Sequence, residues 1–314
     1  MKKKAIIISI KGFKLTYKEK FLLSKNKPWG LILFKRNIES FSQINNLIIQ
    51  IRKTTNDKKF PILIDEEGSS VSRLSNVFNH SIDANFFGDL YKINKKNSII
   101  LYKYYLRLLC KNLKKVGVNI NTIPVLDVLR KNTNKVIGKR SFSENKKIVE
   151  TLGEITTKEC RSQKIITVIK HIPGHGCSTV DSHLRLPKIN LSINNLKKID
   201  FYPFKSNTAK LAMTAHILYT KIDSKNVATF STKIIKNIIR KEIGFKGILI
   251  SDDISMKALK YDLVTNAKKS LDAGCNLVLY CAGNIEDNFK LIKSVPYIDQ
   301  FTLKKTSEIY KILR

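Results

Sequence analysis

The strongest constraint on how this chain folds is a beat of eight short apolar runs. They fall at residues 5–10, 30–34, 61–65, 118–124, 165–170, 210–215, 247–252 and 275–280. Each is rich in Ile, Val and Leu and bounded by polar residues, and none shows the polar alternation of a half-exposed strand. Runs of this kind are strands buried on both faces, as in a parallel sheet. Between most of them lie longer segments with apolar residues at helical spacing: Ile44, Leu47, Ile48 and Ile51; then Leu101, Tyr105, Leu108, Leu109 and Leu113. Ile234, Ile235, Ile238 and Ile239 continue the pattern, as do Leu291 and Ile292 through Ile309 and Leu313. Ser231 or Thr232 is placed to cap the helix before the seventh run, and Gly244 to end it.

Eight strands alternating with helices over 314 residues predict an α/β chain forming a single (β/α)8 barrel, with residues 1–314 as one domain. A doubly wound open sheet is the alternative, but no glycine-rich phosphate loop follows any run. The stretch from Phe78 to Leu90 carries no assignment.

In such a barrel, chemistry collects at the carboxyl ends of the strands, and the unusual polar residues fall there. The third run ends in Asp65, Glu66 and Glu67. The fourth is followed by Asp127 and then by Arg140. The fifth ends in Lys170 and His171, the sixth in His216, the seventh in Asp252 and Asp253. Scattered surface charges have no reason to gather at strand ends. Carboxylates, Arg and Lys make several charge-assisted hydrogen bonds each, which suits a ring of hydroxyls. Asp65, Arg140, Lys170 and His171 form such a set. Asp252 follows an apolar strand and is placed to attack an electrophilic carbon, as the nucleophile of a retaining glycosidase does. Residues 168–187 then hold three of the five histidines, His171, His175 and His183. Pro173, Gly174 and Gly176 forbid a helix there, so a loop carries Asp181 and His183, the pattern of a carboxylate orienting an acid/base imidazole.

Other readings of these residues stand beside these. Asp252 could be the N-cap of a helix starting near Ser255, and Glu66 or Glu67 could supply the acid. Asp127 and Asp253 read as turn-forming, His175 as ordering its loop, and His216 as either support for the site or a satisfied core histidine. The His-x3-His-x-Cys spacing of His171, His175 and Cys177 would suit a metal on a helix, which Pro173 and Gly174 exclude. No metal or cofactor is expected.

The stretch KHIPGHGCSTVDSHLRLP resembles the signature K-H-[FI]-P-G-H-G-x4-D-S-H-x-x-L-P of the bacterial β-N-acetylhexosaminidases of glycoside hydrolase family 3, the peptidoglycan-recycling type. Four further segments agree. WGLILFKRNI is similar to P-x-G-[VI]-I-L-F-x-R-N, and IDEEGSSVSRL to I-D-x-E-G-G-R-V-x-R-L. IGKRSF is similar to I-G-x-R-[SA]-[FY], and GFKGILISDDISMKAL to G-F-x-G-[VI]-[IV]-[IFV]-S-D-D-[LI]-S-M. The resemblance implies Asp252 as nucleophile and His183, supported by Asp181, as acid/base. It also implies that Asp65, Arg73, Arg140, Lys170 and His171 bind the sugar. The implied reaction removes terminal β-linked N-acetylglucosamine from muropeptides carrying 1,6-anhydro-N-acetylmuramic acid. A phosphorylase on the same fold and a non-catalytic amino-sugar binder are the alternatives. One departure stands out: the family's Gly-Arg is here Ser69-Ser70. If position 69 takes a positive φ, a serine there strains the loop that presents Arg73.

Lys and Arg number 58 against 25 Asp and Glu, a net charge of +33. The lysines are spread through the chain among Asn and Ile rather than blocked, so the excess reads as a compositional bias on exposed positions and no nucleic-acid partner is expected. Five cysteines form no CxxC pair, which points to reduced thiols. The apolar run after MKKK is too short for a signal peptide core, and no stretch reaches the length of a membrane span. The expectation is a cytoplasmic monomer with a small carbohydrate substrate and no membrane partner.

Overall fold

The computed structural model of the protein describes residues 3–78, 82–182 and 184–313. All eight runs become strands: β1 (Lys4–Ile8), β2 (Pro28–Leu33), β3 (Ile62–Ile64), β4 (Ile120–Asn121), β5 (Ile166–Ile172), β6 (Leu211–Thr214), β7 (Ile248–Asp253) and β8 (Leu277–Leu279). They pair in parallel in sequence order, and β1 closes on β8 to complete the barrel. The run at 118–124 yields the shortest strand, because its chain turns at Pro124, whose carbonyl accepts the Lys170 N–H (3.2 Å).

Period-two alternation decides what each strand residue touches. Ile7, Trp29, Leu63, Ile120, Val168, Leu211, Ile250 and Leu277 belong to one apolar cluster, the filling of the barrel. Ile6, Ile8, Leu31, Ile62, Ile64, Ile169, Ala212, Leu249 and Val278 belong to a second, packed beneath the helices. Apart from the strand ends, such as Lys4, Asp252 and Asp253, both faces of the strands are therefore dry, which is why the runs are apolar without alternation.

The helices are α1 (Tyr17–Asn26), α2 (Phe41–Thr55), α3 (Ala84–Ile93), α4 (Lys95–Val116), α5 (Lys146–Ser162), α6 (Ile193–Lys198), α7 (Tyr202–Lys205), α8 (Leu263–Ala273), α9 (Ile285–Ser294) and α10 (Gln300–Ile312). Their starts are chemically marked. Thr16 and Glu19 form a capping box before α1, and Ser40, Asn94, Asp262 and Asp299 each accept a first-turn N–H. The unassigned stretch near Phe78 contains the start of α3. The segment at 234–242 winds as a π-helix (Ile234–Glu242); Ser231 Oγ accepts the Ile234 N–H (3.1 Å), and Gly244 at φ +78° follows its end. No helix starts near Ser255. Asp253 instead shapes a turn there, accepting from the Ser255 N–H (3.1 Å) and hydroxyl (2.7 Å), so the N-cap reading of Asp252 fails.

All five cysteines are free thiols: Cys110, Cys160 and Cys275 are buried, Cys177 and Cys281 partly so. Among the described residues, no helix is long and apolar enough to cross a membrane.

Candidate active site

Six of the predicted site residues line one cavity of about 510 Å³ at the carboxyl ends of the strands: Asp65, Arg73, Arg140, Lys170, His171 and Asp252. Asp181 is not among its lining residues. His183 lies outside the described residues. A smaller hollow beside Tyr102 and Phe87 shares Glu67 and Arg140 with this wall but is almost filled.

One wall is an ionic network that joins β3, β4 and β5. Asp65, one residue past β3, takes Arg73 Nη2 on one oxygen (3.1 Å) and the Thr122 hydroxyl on the other. Lys170 donates to Thr122 Oγ1 (2.8 Å), to Glu67 Oε1 (2.6 Å) and, at 3.4 Å, to Asp65 Oδ1. Arg140 grips Glu67 with two parallel bonds, Nε to Oε2 (2.7 Å) and Nη2 to Oε1 (2.9 Å). Burial would push the carboxyls of Asp65 and Glu67 up. Lys170 and Arg73 outweigh it at Asp65, which is held well below the usual carboxylate range; Arg140 and Lys170 outweigh it at Glu67, which falls to about 2. Glu67 is thus an anion at neutral pH and a poor proton donor. Glu66 faces its own loop, accepting from Ser72 Oγ (2.6 Å) and the Arg73 and Leu74 N–H groups (2.7 and 2.8 Å).

Asp127 organises the start of the loop after β5. One oxygen meets His171 Nδ1 (2.7 Å), and the other accepts the backbone N–H groups of His171 (3.3 Å) and His175 (2.6 Å). With Nδ1 engaged, Nε2 is the His171 nitrogen left for a ligand. Burial opposes the Asp127 charge, but His171 and His175 more than compensate, and its carboxyl lies below the ordinary value. His175 is buried; desolvation and the neighbouring His171 lower it to about 4, so it is neutral. Its Nε2 lies 3.3 Å from Ser182 Oγ, between Asp181 and His183 in sequence, so His175 does order its loop, through a side chain. Gly176 is needed where that loop crosses β4's extension, since a Cβ there would lie 1.8 Å from the Val128 carbonyl oxygen.

Asp252, the penultimate residue of β7, lines the same cavity, with one oxygen accepting the Asp253 N–H (2.8 Å). His216, fully buried and lowered by desolvation, lies 3.0 Å through Nε2 from the Asp253 carbonyl and 2.8 Å through Nδ1 from Thr229 Oγ1. Left open by the sequence, it is seen here bracing the backbone next to the nucleophile candidate.

The serine departure carries no strain. Neither Gly68 nor Ser69 has a positive φ. Ser69 Oγ and Ser70 Oγ donate to Asp83 Oδ2 (2.6 and 2.9 Å), and the Ser70 N–H to Oδ1 (2.8 Å), so the hydroxyls hold the loop that carries Arg73. Gly68 is required for room, not for φ: a Cβ would lie 2.6 Å from the Ile82 carbonyl.

With this geometry in view, the profile of the Glycosyl hydrolase family 3 N terminal domain matches residues 2–305. The chain belongs to that family. It is 33% identical over 281 residues to a beta-hexosaminidase of Nitrosomonas eutropha, covering 88% of this chain and 80% of the relative. It is 32% identical over 282 residues to a beta-hexosaminidase of Neisseria gonorrhoeae, covering 88% and 77%. Among solved structures, this family 3 barrel is similar to NagZ from Neisseria gonorrhoeae in complex with N-trifluoroacetyl-D-glucosamine, with 29% identity and a TM-score of 0.88 over 98% of this chain and 90% of that one. It shares its fold with a family 3 beta-N-acetylglucosaminidase from Paenibacillus, at 23% identity and a TM-score of 0.86 over 98% and 60% of the two chains.

Glu67 is the residue that the sequence reading undervalued. It appeared only as a spare acid, although the Glu of the I-D-x-E-G motif stands at its position. Its two cationic partners come from later in the chain, Arg140 from the loop after β4 and Lys170 from β5, and no local pattern names them.

Proposed function

We propose that this family 3 barrel is a retaining exo-β-N-acetylglucosaminidase acting on peptidoglycan fragments of the GlcNAc-1,6-anhydro-MurNAc class, as a single catalytic unit in the cytoplasm. The observation that carries the reading is one cavity lined by a carboxylate, Asp252, together with Asp65, Arg73, Arg140, Lys170 and His171. The names of the relatives support the amino-sugar specificity, and the sequence resemblance supports the aglycone.

In this mechanism the wall holds the sugar by its hydroxyls. Lys170 already spends its three protons within the protein; the 3.4 Å contact to Asp65 is the weakest and the one a sugar hydroxyl would replace. His171 offers Nε2, and Arg73 has a buried Nε without a partner among the described residues. Asp252 attacks the anomeric carbon, the C–O bond to the leaving group breaks, and His183 gives that oxygen its proton. The neutral imidazole, oriented by Asp181, then takes a proton from water as the hydroxide displaces the Asp252 ester, and the β configuration is retained.

The test is release of the aryl group from a chromogenic β-N-acetylglucosaminide by wild type, Asp252→Asn and His183→Ala, with the anomer of the first product read by NMR. Asp252→Asn should lose on the order of 10⁴-fold in kcat, as expected for a removed nucleophile. His183→Ala should lose less with activated leaving groups, and the first product should be the β anomer. A folded wild-type protein that turns over nothing, or an α product, would sink the reading.

A further inference from the structure

Two exposed lysines line the cavity and take no part in its ionic network. Lys135 and Lys139 are exposed, unlike the buried Lys170, and among the described residues neither has an ion-pair partner. Among the described residues none of the cavity's four carboxylates, Asp65, Glu67, Asp252 and Asp253, forms an ion pair with either lysine. Asp65 and Glu67 are taken up by Arg73, Arg140 and Lys170, and Asp253 by its own turn and the Cys281 N–H (3.2 Å).

The segment that presents these lysines is built, not loose. Asn134 Oδ1 accepts the Val136 N–H (2.9 Å), the Ile137 N–H reaches the Asn134 carbonyl (3.0 Å), and the Ile137 side chain is buried. Arg140 Nη1 donates to the Val136 carbonyl (3.0 Å) while its other nitrogens hold Glu67. On its far side the segment grips the loop that leads to Asp181. The Asn134 N–H donates to the Ser178 carbonyl (2.8 Å), Asn134 Nδ2 to the Thr179 carbonyl (3.1 Å), and the Thr133 hydroxyl to the Gly176 carbonyl. The backbone that carries the two lysines is therefore held between the sugar-binding wall and the loop that leads to Asp181.

An exo-acting glycosidase buries the sugar it releases at the closed end of such a cavity and leaves the departing group toward the mouth. We propose that Lys135 and Lys139 form an aglycone subsite that favours leaving groups bearing a carboxylate. This rests on the glycosidase reading above. The ammonium groups attract an anion without contacting the sugar, so they act on selection of the leaving group and not on the bond-breaking step. Because both are exposed, their effect is modest and screened by salt.

The experiment compares two aryl β-N-acetylglucosaminides, one neutral and one with a carboxylate on the ring, using wild type and Lys135→Gln/Lys139→Gln. For the double variant, kcat/KM on the carboxylated substrate should fall about tenfold, within KM, while the neutral substrate changes less than twofold. Added sodium chloride at half molar should erase most of the difference between the two proteins. An equal loss on both substrates, or none on either, overturns the subsite while leaving the glycosidase reading intact. No turnover of the neutral substrate by wild type overturns the glycosidase reading itself. If inorganic phosphate yields the sugar 1-phosphate and the double variant loses that product, the lysines serve an acceptor anion, and the proposal fails.

Discussion

The two ends of the barrel each bury a lysine against a carboxylate, and they use the pair in opposite ways. At the amino end, Lys3 Nζ meets Asp57 Oδ2 (2.9 Å) and the Tyr310 hydroxyl (2.6 Å), while Tyr310 donates to the same carboxylate oxygen (2.6 Å). Nearby, Trp29 Nε1 donates to Thr306 Oγ1 (2.8 Å), tying the barrel filling to α10. That set is closed on itself, and burial lowers the Lys3 pKa despite Asp57. At the carboxyl end, Lys170, Arg140 and Arg73 meet Asp65 and Glu67, yet the wall opens on a cavity of about 510 Å³. Spare donors remain on the guanidinium groups, and His171 keeps Nε2 for a ligand. A buried charge pair is therefore no mark of a site by itself. Unspent hydrogen-bonding capacity facing an accessible space is.

Breaking the open set should cost most. Glu67→Gln leaves two buried cations with half their counter-charge, which should cost about 3–5 kcal/mol of stability and raise KM at least tenfold in molecules that remain folded. Denaturant unfolding together with steady-state kinetics reads both. If KM stays at the wild-type value, the wall does not hold the sugar. Breaking the closed set should hurt stability alone. Lys3→Met strands Asp57 and should cost about 3 kcal/mol, with kcat/KM within twofold at a temperature where the variant is folded. A larger drop in kcat/KM would show that the two ends are coupled.

Acid should separate two groups within the open end. His175 falls to about 4 from an ordinary 6.5, so below pH 6.5 the unfolded chain binds a proton that the folded protein refuses. Stability should then fall with decreasing pH between 6.5 and 4, by up to about 1.4 kcal/mol per pH unit for this one proton, and His175→Gln should flatten that slope. Glu67 has the opposite chemistry and a lower window. Its folded pKa of about 2 lies below the ordinary 4.5, so its stabilisation is complete above pH 4.5 and is lost as pH falls from there toward 2. A slope between pH 6.5 and 4 that His175→Gln leaves unchanged would assign the titration elsewhere.

The smallest effect concerns the serine departure. Ser70→Ala removes one hydroxyl bond to Asp83 but keeps the backbone one, and should cost about 1 kcal/mol with little change in kcat. A large loss of kcat would mean that Ser70 reaches the substrate, since it also lines the cavity.

How much of this was legible beforehand follows from distance along the chain. The eight strands could be read because each residue pattern is local and both faces of each strand meet apolar neighbours, whichever strand lies beside it. Positions such as Asp65, Lys170 and Asp252 could be read as site residues because strand ends in a barrel share one rim. Whether Ser69 is strained stayed conditional because its φ depends on how the loop packs against Asp83, fourteen residues on. The π-helical winding at 234–242 and the turn that replaces a helix after Asp253 escaped for the same reason, since propensity and spacing there favour an ordinary helix.

By itself, then, the sequence determined the barrel, the family and the rim on which the charged residues stand. These rest on patterns within a few residues and on a fixed rule of strand order. Only the tertiary structure decided who pairs with whom: Glu67 with Arg140 across 73 positions, Asp65 with Lys170 across 105, Asp127 with His171 across 44. The identity of a charged residue sets what it can bind. Whether it is spent on a protein partner or kept for a ligand depends on distances of a few tenths of an ångström, which exist only once the barrel has closed.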